Sequence, residues 1–383
     1  MGPLAGIRII EIKGRGPGPY AGMLLADMGA EVIVVERSSR SGGIALPSLH
    51  DPNSRGKKSI VLNLKTPEGL EALLKIVEQC DAIFEGYRPG VAERLGFGPE
   101  VCLARNRKIV YGRMTGWGQF GPLSRTAGHD INYISITGPL AAMGTAEKPL
   151  IPLNLVGDYA GGSLFLVIGM LAAMLEAQRS GKGQVVDAAI TDGSASLMSM
   201  FYGMAGLGVW QPKRASNLLD GGTHYYNTYA TADGKHMSVG AIEPQFYAEL
   251  RQRAGLADDA FAEQNNPAGW DALREKIAAV FRTKTRDEWT AIFDGSDACV
   301  APILDYTEAP AHPHNVARET FIEIDGLMQP APAPRFSRNH CNRPASPLGE
   351  GASTRALMAE FGFSDADMQA LAEAGGTEKG LIQ

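Results

Sequence analysis

The first part of the chain alternates short apolar runs with helical stretches, and this alternation constrains the fold more than any other feature. Ile7 to Ile12 reads as a strand, Gly14 to Pro19 as a turn, Tyr20 to Met28 as a helix and Glu31 to Glu36 as a second strand, which makes a βαβ unit. A basic, glycine-containing loop at Arg55 to Lys58 continues the pattern. It leads to a strand at Ser59 to Leu64, a helix opened by Thr66-Pro67-Glu68, and a strand at Ala82 to Glu85. Strands separated by helices align in parallel, because a crossover returns the chain to the same edge of the sheet, and the helices then cover its faces. The expected class is α/β, with a Rossmann-like large domain on a parallel sheet and a smaller α+β domain.

The pattern changes after Tyr111. A glycine-rich stretch from Thr115 to Gly121 leads into Arg125 to Tyr133, and a long apolar helix follows Asp158. Such loop-to-helix junctions are where sites are often built. From Tyr225 to Glu308 short strands (Tyr225 to Thr231, His236 to Val239) precede polar helices such as Trp270 to Phe281. Proline is dense from Met328 to Pro347, and a last helical pattern runs from Ala352 to Phe361. We expect residues 1–200 to form the large domain, completed by 325–383, with 201–224 as a linker and 225–324 as the small domain.

With 383 residues, 44% of them hydrophobic, the chain can bury a sizeable core. Its 36 basic and 42 acidic residues are scattered, giving a net charge of −6 without the concentrated basic face that nucleic-acid binding requires. Cys80, Cys102, Cys299 and Cys341 lie far apart and read as free thiols. The N-terminus lacks the layout of a signal peptide, and the richest apolar stretch, Leu164 to Leu175, suits a buried helix better than a bilayer span. The expectation is a cytoplasmic protein with no membrane span and no nucleic-acid partner.

Gly14, Gly16 and Gly18 follow the first strand and Glu36 ends the second, an arrangement close to the dinucleotide fingerprint. Pro17 and Pro19 break the required spacing, and a tight turn with Pro19 near a helix start is the better account of the glycines.

Three acid/base candidates stand out. Asp158, between Gly157 and Gly161-Gly162 ahead of an apolar helix, reads either as a helix cap or as a catalyst. His129, followed by Asp130, reads as an ordinary hydrogen-bonding loop residue or as a proton-exchanging imidazole with an adjacent carboxylate to orient it. Glu243, ahead of Pro244, reads as a solvated or helix-starting carboxylate or as a third member of the site. Met198, Met200, Met204 and Trp210 form a Met-rich segment that is either plain core or an adaptable apolar surface.

The segments ThrAlaGlyHisAspIleAsnTyr at 126–133, AsnLeuValGlyAspTyrAlaGlyGly at 154–162 and ValGlyAlaIleGluProGlnPheTyr at 239–247 resemble the α-methylacyl-CoA racemase branch of the family III CoA-transferase superfamily. The superfamily resemblance also rests on GlyProGlyProTyrAlaGly at 16–22, ArgGlyLysLysSerIleValLeuAsnLeuLys at 55–65 and GlyTyrArgProGlyValAlaGluArgLeuGly at 86–96. It spans about residue 3 to residue 350.

The resemblance implies a large domain that binds an acyl-CoA and a racemase acting on 2-methylacyl-CoA thioesters. His129 and Asp158 would exchange the α-proton on opposite faces through an enolate, and Glu243 would fix the imidazole of His129. Backbone N–H groups at the helix start of Asp158 would be available to the enolate oxygen. The implied CoA contacts are Arg37, Leu62, Asn63, Leu64, Lys65, Gly86, Tyr87, Arg88 and Arg94, with Gly128, Asp130, Ile131, Asn132 and Tyr133 around the histidine. The superfamily also implies an interlocked homodimer, and its transferases use the aspartate resembling Asp158 as a covalent nucleophile. No metal-ligand spacing or cofactor-attachment motif appears, so no cofactor is expected beyond the CoA of the substrate. A CoA-transferase, a nucleotide-binding dehydrogenase and a catalytically silent acyl-CoA binder stand as the alternatives.

Overall fold

In the computed structural model the described residues are 2–37 and 48–382. They divide into two compact units, one comprising 1–137, 153–197 and 319–383, the other 138–152 and 198–318.

The first unit is built on six strands: β1 (Arg8–Ile12), β2 (Glu31–Glu36), β3 (Lys58–Val61), β4 (Ala82–Glu85), β5 (Val110–Thr115) and β6 (Val185–Ala189). They are all parallel, in the order β3-β2-β1-β4-β5-β6. This is the Rossmann order, which reverses direction between β1 and β4 and opens a crevice there at the carboxyl ends of the strands.

Alternation of side chains along each strand feeds two cores. Ile10, Ile12, Ile33, Val35, Ile60 and Ile83 fill one face, and Ile9, Val32, Ala82, Phe84 and Val110 the other. Helix α1 (Pro17–Asp27) starts earlier than the sequence reading placed it, since Pro17 fits a first helical position that needs no N–H. Helix α2 (Pro67–Val77) opens as its sequence demands, with the Thr66 hydroxyl accepting from the Gly69 N–H at 3.1 Å. The C-terminal helices Thr354–Glu360 and Asp365–Glu373 add Leu357, Met358, Phe361, Met368 and Leu371 to the first of these cores.

Two buried ion pairs tie the loop before β3 to strand β1 and to the C-terminal end of α1. Arg55 donates to Asp27 at 2.6 Å and to the Pro330 carbonyl at 2.7 Å; Lys57 donates to Glu11 at 2.6 Å and to the Pro19 carbonyl at 2.8 Å. Glu36, the would-be ribose ligand of a dinucleotide fold, is buried and accepts from the Ser59 hydroxyl at 3.0 Å. The dinucleotide reading therefore loses its acidic partner.

Three further helices shape the site: α3 (Asp130–Ile136), α4 (Phe165–Ser180) and α5 (Ile190–Leu197). A π-helical segment, Leu155–Leu164, runs directly into α4. Together Leu155–Ser180 is long and apolar enough to cross a bilayer by length and composition, and half of its most apolar window is buried inside the fold.

The second unit contains helix α6 (Ser199–Gly206) and an antiparallel sheet of β7 (Tyr226–Ala230), β8 (His236–Gly240) and β9 (Val300–Pro302). Helices α7 (Pro244–Ala254), α8 (Trp270–Phe281) and α9 (Arg286–Phe293) complete a core around Tyr229, Met237, Leu250, Ile277, Phe281 and Trp289. Residues 201–224, read from sequence as a linker, and residues 138–152, read as large domain, both group with this unit.

Candidate active site

A parallel sheet delivers every strand's carboxyl end to one edge, and the candidate CoA-side residues all follow such ends. Arg37 follows β2, Leu62 to Lys65 follow β3, and Gly86 to Arg88 follow β4 at the point where strand order reverses.

Arg37 donates to the Tyr87 hydroxyl at 2.9 Å, and its guanidinium lies 5.3 Å from the centre of that ring. Arg88, Arg94, Lys65 and Gly86 are exposed. Leu62 is fully buried, so its side chain belongs to the core, while Leu64 packs against that core from a partly buried position. Asn63 bonds the C-terminal segment through its amide, donating to the Gly375 carbonyl at 3.0 Å. Of the cations in the motif at 55–65, Lys65 is the exposed one beyond the strand: Arg55 and Lys57 are buried in ion pairs, and Lys58, on β3, pairs with Glu31 and Glu360.

Beneath this loop Glu85 is buried against Arg113 at 3.3 Å, and burial pushes its carboxyl up to about 7, opposed by the Tyr87 N–H and by Arg113.

After β5 the chain builds the acid/base cluster. Trp117 and Tyr133 meet edge to face, with centroids 4.7 Å apart, and the Tyr133 hydroxyl donates to the Gly128 carbonyl. A Cβ on Gly128 would fall 2.7 Å from the Tyr133 ring, so only glycine lets the loop pass this pair on its way to His129. His129 is exposed immediately ahead of α3, its backbone N–H held by the Asn132 side chain at 3.0 Å. Ile131 and Asn132 are exposed beside it, and Tyr133 is buried.

Asp158 lies within the π-helix, four residues after Asn154, whose side chain hydrogen-bonds its carboxylate. The cap reading of Asp158 is therefore corrected: the residue that accepts backbone N–H groups at this helix start is Asp130. Its Oδ2 takes the Asp158 N–H at 2.6 Å, and the Gly157 N–H also bonds this carboxylate. Those two amides are consequently occupied and are not the free donors that the sequence suggested. Asp130 likewise faces the helix start and not the histidine.

The Asp158 carboxyl is raised to about 6, by burial first and then by neighbouring Asp130, while the Asn154 hydrogen bond and His129 oppose the shift. Tyr133 is pushed to about 12, by burial first and then by Asp158.

Sequence reasoning missed how the loop after β1 serves this cluster. Gly16 has φ +68°, and a Cβ there would lie 3.1 Å from Asp158 Oδ2. Ser163 donates to the Pro17 carbonyl at 2.7 Å, and Tyr20 stacks on Tyr159 at 4.2 Å. The available signal was a glycine in a turn facing a glycine-flanked aspartate, which becomes informative only once the two are known to meet.

Glu243 belongs to the second unit, exposed at the start of α7. In the same unit Met198, Phe201, Tyr202 and Trp210 line a largely apolar cavity of about 380 Å³. Helix α6 has no buried residue, so the Met-rich segment is not core. Among the described residues no cluster of three or more His, Cys, Asp or Glu is placed to hold a metal ion.

The parallel sheet with an ionisable cluster at its carboxyl edge defines an α/β ligand-handling protein, and the CoA-transferase family III model matches residues 4–350. The chain belongs to that family. Alpha-methylacyl-CoA racemase of Mus musculus is 43% identical over 373 residues, covering 95% of each chain. The Homo sapiens protein of the same name is 42% identical over 370 residues, covering 94% of each. A crystal structure of a CaiB/BaiF family protein from Brucella suis matches with a TM-score of 0.80 over 94% of this chain and 99% of that one, at 24% identity, a likeness of fold alone. The homology supports an activity of racemase or CoA-transferase type.

Proposed function

We propose that the protein interconverts (2R)- and (2S)-2-methylacyl-CoA thioesters by moving one proton at the α-carbon. The observation that carries this reading is the Asp158 carboxyl, held near neutrality at about 6 in the neighbourhood of the exposed His129. A proton-transfer group works best when its pKa lies near the operating pH, because it then has the correct protonation state and still gives up its proton readily.

In this mechanism the enzyme carries one proton between His129 and Asp158. When the carboxylate takes the α-proton, imidazolium returns one to the opposite face; from the other enantiomer the roles reverse. At the intervening enolate both groups carry a proton, and delivery from the group on the face opposite the abstraction completes the inversion. Arg37, Lys65, Tyr87, Arg88 and Arg94 hold the CoA portion along the carboxyl edge of the sheet, the arginines and lysine by charge-assisted bonds to phosphate. Leu62, Asn63, Leu64 and Gly86 shape that edge through backbone and packing, and Gly128, Asp130, Ile131, Asn132 and Tyr133 shape the thioester end. Glu243 orients the imidazole of His129, and the working form is an interlocked homodimer.

The test is incubation of one enantiomer of a 2-methylacyl-CoA in deuterated water without any carboxylate acceptor. The proposal expects α-deuterium and a racemate. A requirement for an acceptor, with a trapped acyl-Asp158 intermediate, would instead establish the CoA-transferase reading, which the same aspartate permits.

A further inference from the structure

We propose that Asp130 is a positioning residue for Asp158: its carboxylate clamps the first turn of the π-helix and holds a second acidic group against the reacting carboxyl. This rests on the reading that Asp158 exchanges the α-proton.

The geometry is built for it. The Asp130 carboxylate reaches across 28 residues of sequence to take the Asp158 N–H at 2.6 Å. A Cβ on Gly157 would fall 2.3 Å from Asp130 Oδ2, so glycine at 157 permits the approach. Asp130 is 8% exposed, and its other oxygen, Oδ1, is buried without a hydrogen-bond partner among the described residues. A buried carboxylate with one oxygen left unpartnered is costly to ionise, and when ionised it opposes ionisation of Asp158, so the titrations of the two groups are coupled.

The groups facing Asp158 come from several elements. Asp130 and His129 act on it from α3 and its cap, while Tyr133 is itself acted on by Asp158, Asp130 and Arg88. Helix α1 has Tyr20 and Asp27 as its ionisable side chains, the latter paired with Arg55. Asp187 on β6 is acted on by Asp192 and Arg113. Asp130 is thus the one carboxylate among them that raises Asp158.

The experiment is a titration of the aspartate carboxyl carbons by NMR, with the Asp158 signal assigned from Asp158→Asn. In the unsubstituted protein the Asp158 and Asp130 carbons should each show both steps of a coupled pair. In Asp130→Asn, which retains an amide-accepting oxygen, Asp158 should titrate in one step about one pH unit lower. The acid limb of kcat/KM should move with it, and Asp130→Glu should bring it back. Independent single steps, or an Asp158 titration unmoved in Asp130→Asn with activity reduced equally at all pH, would overturn the proposal and leave Asp130 a structural cap. Because the NMR readout does not depend on turnover, activity retained by Asp158→Asn would defeat the racemase reading separately.

Discussion

At the residue scale, the proposed chemistry depends on a carboxyl kept from ionising easily. Below about 6 Asp158 gains protons, so the form with one proton on the His129–Asp158 pair declines and kcat/KM should fall on the acid side of that value in both directions of the reaction. Asp158→Asn should lower racemisation by ~10²–10⁴-fold, the usual size of one acid/base contribution. The same substitution has a consequence for stability. The folded pKa lies above the ordinary carboxyl value of 3.8, so folding favours the protonated form; that contribution is present below 3.8 and is lost as pH rises through about 6. Asp158→Asn, which cannot ionise, should therefore raise Tm relative to the parent at pH 8, with the gain shrinking towards pH 4. The candidates themselves were legible in the sequence, since His129 and Asp158 sit in short glycine-flanked segments at loop-to-helix junctions. Their immediate partners were not: Asp130 and Gly16 reach Asp158 only through tertiary contact, which no local spacing encodes.

At the element scale, the π-helix is what sets Asp158 facing the loop after β1. Such segments recur at functional sites because the extra residue per turn opens the backbone. Ser163 links this segment to Pro17, so Ser163→Ala should cost about 1 kcal/mol in urea unfolding, the worth of one hydrogen bond, and should also reduce turnover by loosening the Asp158 side of the site. The first four strands were readable because they are buried on both faces and appear as apolar runs. Strand β6 was missed: it is an edge strand, largely exposed at Val185 to Asp187, and lacks such a run. The hairpin Phe321–Ile324 and Leu327–Pro330 was hidden for a similar reason, half of its strand residues being exposed and prolines following it closely. The π-helix had no signal at all, as its sequence is an ordinary apolar helix until Asp130 is placed at its start.

At the scale of the whole molecule, the first unit closes only when the chain's last helices return to it. Phe361 is 1% exposed in the same core as Ile33 and Ile83, so Phe361→Ala should cost about 3–5 kcal/mol in urea unfolding even though it lies far in sequence from every site residue. The proline-rich tail and the helix after it gave the sequence-level hint of this return. The segment 138–152 gave none, because grouping with the second unit depends on contacts such as Arg214 to the Thr145 carbonyl at 2.9 Å, between residues far apart in the chain. For the proposed interlocked dimer, sedimentation should give twice the chain mass, and mixing tagged and untagged protein should give no hybrid without unfolding, since threaded chains cannot exchange by simple dissociation.

The central claim, two acid/base groups on opposite faces of one carbon, is tested most directly by following α-proton exchange separately from racemisation in His129→Ala and Asp158→Asn, with each enantiomer of a 2-methylacyl-CoA in deuterated water. The account predicts that racemisation falls by ~10²–10⁴-fold in each variant, while each still washes out the α-proton of one enantiomer with retention, the two variants acting on opposite enantiomers. Racemisation near the parent rate in either variant, or exchange of the same enantiomer by both, would contradict it.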